Sequence, residues 1–234
     1  MNGLEEHILK GMPKIQRLYE KVSGGWWLYH APESFIQSHL ALHIAHNGEF
    51  CVYPECSPKR WKASVDEGNG AKPRGRPFSA HNKKRFDLVI WWKSGNRPRA
   101  IVEIKRAMNA SPLVADAGKI VKYGKEAQSF CIKTAYILAY SEAWRNTERA
   151  PQHSGKKKLE QRFKAWSKNL REKCGNKATV KCVGWEAHEP RDQDEKPKGS
   201  WGVALYRLDY CAKNKKRKRT ARRSPAVMQA RKAA

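Results

Sequence analysis

Residues 85–106 read RFDLVIWW, KSGNRP, RAIVEIKR, and the fold turns on how the two flanking runs are interpreted. Both are rich in β-branched and aromatic residues and flank a Gly-Asn-Arg-Pro turn, the pattern of a β-hairpin. Apart from charges near their ends, both runs are apolar on both faces, which marks central strands covered above and below. Side chains alternate along a strand, so Glu103 and Lys105 share a face and Asp87 shares one with Val89. With the turn centred near Gly95, Asp87 falls opposite Glu103, to within a residue or two. Facing carboxylates in a buried sheet repel each other, and leaving them unpaired there is costly. A divalent cation removes that cost, and an all-oxygen site suits a hard ion such as magnesium.

An Asp on one buried strand followed by Glu-x-Lys on the next resembles the PD-(D/E)XK nuclease superfamily. The matching positions are Asp87, Glu103 and Lys105, read from FD and EIK, with Phe86 standing where the family has Pro. Glu-x-Lys alone is a weak signal, because Asp194-Glu195-Lys196 satisfies (D/E)-x-K in a polar loop. The likeness rests on the triplet's place on a buried strand after an Asp-bearing one; the alternative is a plain charged strand start and strand end. The resemblance implies an α/β, restriction-endonuclease-like fold: an αβββαβ core with a mixed central sheet flanked by helices. It also implies Mg2+, with Mn2+ as a substitute, held by Asp87, Glu103 and the backbone carbonyl of Ile104. Lys105 would orient the attacking water and stabilise developing charge. The family carries an acidic residue in a helix before the sheet, and Glu33 is its match here, completing the metal shell or holding a second ion.

The composition fits a polyanion partner. At 234 residues the chain suits one domain with a real core. A formal charge of +26, from 48 basic and 22 acidic residues, exceeds what solubility needs and points to nucleic acid. No amphipathic basic helix, lipidation motif, signal-peptide pattern or apolar run of transmembrane length is found, so no membrane association and an intracellular place are expected. The six cysteines lack the Cys-x2-Cys spacing of structural zinc sites and are expected to be reduced.

Before the hairpin, apolar residues at Leu4, Ile8, Met12, Ile15, Leu18 and Val22 recur at a helical period, with Pro13 expected to break or restart the helix and Gly24-Gly25 to end it. A second helix starts near Pro32 and ends at Asn47-Gly48. It places Glu33 on the inward face with Ile36, Gln37, Leu40 and Ile44. His39, His43 and His46 lie off that stripe, and no His-Glu-x-x-His motif is present, so a zinc hydrolase is not expected. GEFCVYPEC reads as a short strand beside the hairpin. Residues 57–85 form a long basic loop with nine Lys or Arg against Asp66 and Glu67. Within it Trp61 and Phe78 interleave with Lys59, Arg60, Arg74 and Arg76 as a nucleic-acid-contacting loop would, or as a solvated loop without contacts.

After the hairpin, Ser111-Pro112 opens a helix with Leu113, Ala117, Ile120 and Tyr123 inward. By the same family resemblance Asp116, Lys119 and Tyr123 face the substrate, with Lys119 as a phosphate contact; Lys122 is a further candidate or a plain surface lysine. A buried strand KTAYILAYSEAW, a helix with Leu159, Phe163, Trp166 and Leu170 inward, and two strands around EPRDQDEKPKG complete residues 1–211, the core spanning about residues 32–141. Residues 212–234 hold ten Lys or Arg and no acid, and are expected to be a disordered tail. Its Lys215, Lys216, Arg217, Lys218 and Arg219 would tether phosphates, and would also pass as a nuclear localisation signal in a eukaryotic host.

Together these readings lead to a magnesium-dependent DNA endonuclease. The alternatives are a non-catalytic nucleic-acid-binding protein on a nuclease fold and an RNA-processing nuclease. DNA is preferred because no aromatic RNA-recognition signature is present and by the family's habit. A homodimer is compatible with this class.

Overall fold

A computed structural model of the chain describes residues 3–57, 85–93, 98–129, 132–144, 155–188 and 199–210, side chains of residues 124–129 excepted. The element order is α1 (Gly3–Ser23), a 3-10 turn (Leu28–His30), α2 (Glu33–His46), β1 (Phe50–Cys56), β2 (Phe86–Trp92), β3 (Pro98–Arg106), α3 (Ser111–Ser129), β4 (Thr134–Trp144), α4 (Gly155–Cys174), β5 (Ala178–His188) and β6 (Gly199–Tyr210). The protein is α/β, with a mixed six-stranded sheet in the order β1-β2-β3-β4-β6-β5. Only β3 and β4 run parallel, joined through α3; the other neighbouring pairs are antiparallel.

The two hairpin runs are interior strands, as their two-sided apolar character predicts. Leu88, Ile90, Val102 and Ile104 face one side, with Leu4, Ile8, Met12, Ile36 and Leu40 of α1 and α2. Val89 and Ile101 face the other, with Leu113, Ala117 and Ile120 of α3 and Leu159, Phe163 and Trp166 of α4. Helices thus cover both faces of the sheet. No described helix is long and apolar enough to cross a membrane.

Two expectations for α1 need correction. The helix runs unbroken through Pro13. An interior proline forfeits one backbone hydrogen bond and costs roughly 3 kcal/mol. Burial of Leu4, Ile8, Met12 and Ile15, each worth about 1.5–3 kcal/mol, outweighs it. Leu18 and Val22, assigned to the inward stripe, are exposed because α1 extends past the body it packs on. The buried Glu5 fastens this helix to the sheet: it accepts from Tyr136 Oη and from Arg207 Nη1, each at 3.2 Å. Helix ends behave as read, with Gly24, Gly25 and Gly48 at positive φ where α1 and α2 stop.

Glycine is required where α4 begins. A Cβ on Gly155 would lie 2.5 Å from Ser200 Oγ and 2.7 Å from the Ala143 carbonyl, so no other residue fits without displacing the ends of β4 and β6. Among the described cysteines, Cys51, Cys56, Cys174 and Cys182 are free thiols, and burial pushes Cys174 up to about 11.

Candidate active site

The site forms where β2 starts and β3 ends, at one end of the hairpin. Leu88 pairs with Val102 and Val89 with Ile101, so the same register sets Asp87 beside Glu103. A register shift between Ile90 and Trp91 lies toward the turn, away from this pair. Glu103 is 2% exposed, far more enclosed than an ordinary carboxylate. Asp87 Oδ2 accepts the backbone N–H of Ile104 at 2.6 Å, which ties the start of β2 to the end of β3. Ile104 thus meets Asp87 through its amide, a contact separate from the metal-ligand role expected of its carbonyl.

Helix α3 supplies the other half. It follows β3 directly and returns across that face of the sheet, bringing Asp116 and Lys119 over the carboxylates. Lys119 Nζ lies 2.7 Å from Glu103 Oε1, donates to the Arg85 carbonyl, and sits 5.2 Å from the centre of the Phe86 ring. Lys119 was expected as a phosphate contact; here its largely covered ammonium is engaged by Glu103. Tyr123 requires correction: it is buried with its ring edge-on to Phe86, so it has no open face for a nucleic acid. The helical stripe already placed it inward, and burial wins over the substrate-facing role. Lys122 is exposed.

Glu33 arrives from the other side of the sheet. Its inward placement is corrected: the side chain is half-exposed, because the first turn of α2 overhangs the end of β3. From there Oε1 accepts the Arg106 amide at 3.1 Å and Oε2 lies 3.1 Å from Lys105 Nζ. Asp116 Oδ2 is 3.9 Å from the same ammonium. Lys105 is therefore held between a carboxylate of α2 and one of α3, on the face it shares with Glu103.

The electrostatics follow from this enclosure. Burial, and next the charge of Asp87, push Glu103 up to about 8, while Lys119 opposes the shift. Burial likewise raises Asp87, against the pull of the Ile104 amide. For Lys105 burial pulls down, but the Glu33 hydrogen bond and the charges of Glu33, Asp116 and Asp87 together win, so it holds its proton more tightly than an ordinary lysine. Tyr140 is raised, first by burial and then by the Glu33 charge, and keeps its phenolic proton.

The buried Glu103 and the half-buried Asp87, both of which resist ionisation, form an oxygen donor set that could hold a hard divalent ion, which commonly takes one or two carboxylates and keeps several waters. Among the described residues no three His, Cys, Asp or Glu side chains gather as a metal-ligand set. The two carboxylates are accompanied by two lysines. His39, His43 and His46 do not converge there either. Lys59, Arg60, Arg74 and Arg76 of the basic loop, and Lys215, Lys216, Arg217, Lys218 and Arg219 of the tail, lie outside the described residues.

Comparison with protein-family models, curated proteins and solved structures finds no match.

Sequence reading missed Gln37 as a supporting residue. Its buried amide donates to the Asp87 carbonyl at 2.7 Å and to Glu55 Oε1 at 3.1 Å, fixing the start of β2 against α2. A glutamine among Ile36, Leu40 and Ile44 on an inward stripe was the available signal.

Proposed function

We propose that this chain is a magnesium-dependent nuclease that hydrolyses phosphodiester bonds in DNA, on a fold of the restriction-endonuclease-like kind. One observation carries the reading: Asp87, Glu103 and Lys105 stand at one end of a buried hairpin, with Glu103 pushed up to about 8. The order α2-β1-β2-β3-α3-β4 is the αβββαβ order that the resemblance implies.

Asp87 and Glu103 would hold the ion, which when bound supplies charge to the phosphate and acidity to a water. The chain's own contribution is electrostatic and positional. Lys105 is a fixed ammonium, so it serves as a charge and hydrogen-bond donor to the phosphorane oxygens and not as the base. Glu33 and Asp116 aim it. Glu33 also anchors the Arg106 amide, which favours a positioning role through Lys105 for this residue. Incubation with linear, nicked, branched and single-stranded DNA, with magnesium or with EDTA, tests the proposal. Magnesium-dependent cleavage of at least one substrate is expected; no cleavage of any would contradict it.

A second reading, a nucleic-acid-binding protein that does not cut, draws support from the internal pairing of the site. Glu103 has Lys119 and Lys105 has Glu33, so the charges partly balance without an ion. Binding of the same substrates without cleavage would select it.

On either reading the tail adds affinity. Removing residues 212–234 should weaken DNA binding at all sequences and flatten its dependence on salt. Each engaged cation contributes about 0.9 to the slope of log affinity against log salt on duplex DNA. A salt titration of the truncated and full chains measures this, and an unchanged slope would mean that the tail does not touch DNA.

A further inference from the structure

At the same end of the sheet as the carboxylates, but on its α1–α2 face, lies a group of aromatic rings that the proposed chemistry does not use. Trp26 and Trp144 are 58% and 53% exposed, unusual for a residue that gains so much from burial. The rings are tied to the site residue by residue. Arg106 follows Lys105 in β3 and so points to the opposite face, where its guanidinium lies 5.5 Å over the Tyr29 ring. Tyr29 adjoins His30, whose ring meets the edge of Trp26 at 4.9 Å. One residue along, Trp27 stacks on Trp144 at 5.1 Å and 23°. Arg162 of α4 completes the rim, donating to Ser141 Oγ and the Glu142 carbonyl at 2.6 Å each, just before Trp144 in β4.

A run of rings, two of them exposed, with a guanidinium group at each end matches a nucleic-acid strand whose bases are unpaired. Bases offer π faces to stack, and phosphates offer charge to the arginines. A paired duplex hides its base faces and would use the cations alone. We infer that this rim stacks unpaired nucleotides of a strand that passes over this end of the sheet, where the phosphate to be cut would also lie, so the substrate class is DNA with a single-stranded segment. The inference rests on the nuclease reading for the position of the cut, but the binding it describes is measurable without any cutting.

The test uses the full chain in EDTA and labelled oligonucleotides of equal length: oligo-dT, an abasic strand with the same phosphates, and a duplex. Wild type should bind oligo-dT more tightly than the abasic strand. Trp26→Ala and Trp144→Ala should each weaken oligo-dT binding by about 5- to 100-fold, the range expected for loss of one stacked base. Abasic-strand and duplex binding should stay near wild type, and Trp144→Phe should retain most of the oligo-dT affinity. Trp26, touching mainly His30, guards against a variant that fails to fold, and a melting curve checks both. Equal wild-type affinity for oligo-dT and the abasic strand would overturn the inference, as would equal loss on single strands and duplex. Cleavage in magnesium that ignores single-stranded segments would overturn this inference alone. Stacking without cleavage of any substrate would overturn the nuclease reading alone.

Discussion

Lys105→Ala should lower the rate of plasmid nicking by about 100- to 1,000-fold, the usual cost of losing one preorganised electrostatic partner of a transition state. Lys105 acts on charge that appears only as the phosphorane forms, so DNA affinity should stay close to wild type. The side chain is partly covered and held by Glu33 and Asp116, which makes it a poor general phosphate tether and a good fixed charge. Glu33→Gln should cost less than Lys105→Ala, because Asp116 still holds the ammonium and the amide oxygen can still accept the Arg106 N–H. Equal losses in the two variants would make Glu33 itself a participant and not an anchor. Single-turnover nicking beside an affinity measurement in EDTA separates these effects.

The metal-free protein should lose stability as pH rises from about 5 to 8, and Glu103→Gln should remove most of that loss. Glu103 ionises near its ordinary value when unfolded, but is pushed up to about 8 in the fold. Between those values the folded state holds a proton that the unfolded state has released, so raising the pH favours unfolding. The stabilising contribution is full below the unfolded value and gone above the folded one. The raised Asp87 adds in the same direction. The effect is on the order of a few kcal/mol, or roughly 5–10 °C in Tm for a domain of this size. Glutamine is the right probe because its oxygen can still accept from Lys119. Glu103→Ala would instead strand that ammonium against the Phe86 ring and the Arg85 carbonyl. Magnesium should restore stability at pH 8 by about 2.7 kcal/mol at a hundredfold excess over its Kd, and should leave Glu103→Gln unmoved. Parallel pH curves for wild type and Glu103→Gln would contradict this account of the site.

Much of this geometry is legible in the sequence because strand alternation is rigid. Once RFDLVIWW and AIVEIKR are read as paired interior strands, a period of two puts Glu103 and Lys105 on one face, and the turn brings Asp87 to it. Helices transmit less. The rotation of α3 over the sheet decides that Lys119 reaches Glu103 while Tyr123, one turn later, packs on Phe86. Nothing in the helical period alone separates those outcomes. Glu33 shows the same limit: its wheel position is inward, but its place in the first turn of α2 carries it past the sheet edge to the Arg106 amide. Pro13 shows the opposite case, a strong local signal overridden by burial on both sides of it. The aromatic rim was illegible because it assembles Trp26 and Tyr29, around a 3-10 turn, with Trp144, over a hundred residues later.

The central claim is that the carboxylates of the β2–β3 hairpin form a metal-dependent nuclease centre. Nicking of supercoiled plasmid, whose negative superhelicity opens locally unpaired segments, by the full chain, wild type beside Asp87→Asn, over a magnesium titration, tests it most directly. Asparagine keeps an acceptor for the Ile104 amide, so the fold should survive and any loss should belong to the chemistry. The account predicts magnesium-dependent nicking by wild type and none above background by Asp87→Asn at any magnesium concentration. Equal nicking by the two proteins, or nicking by wild type that persists in EDTA, would contradict it.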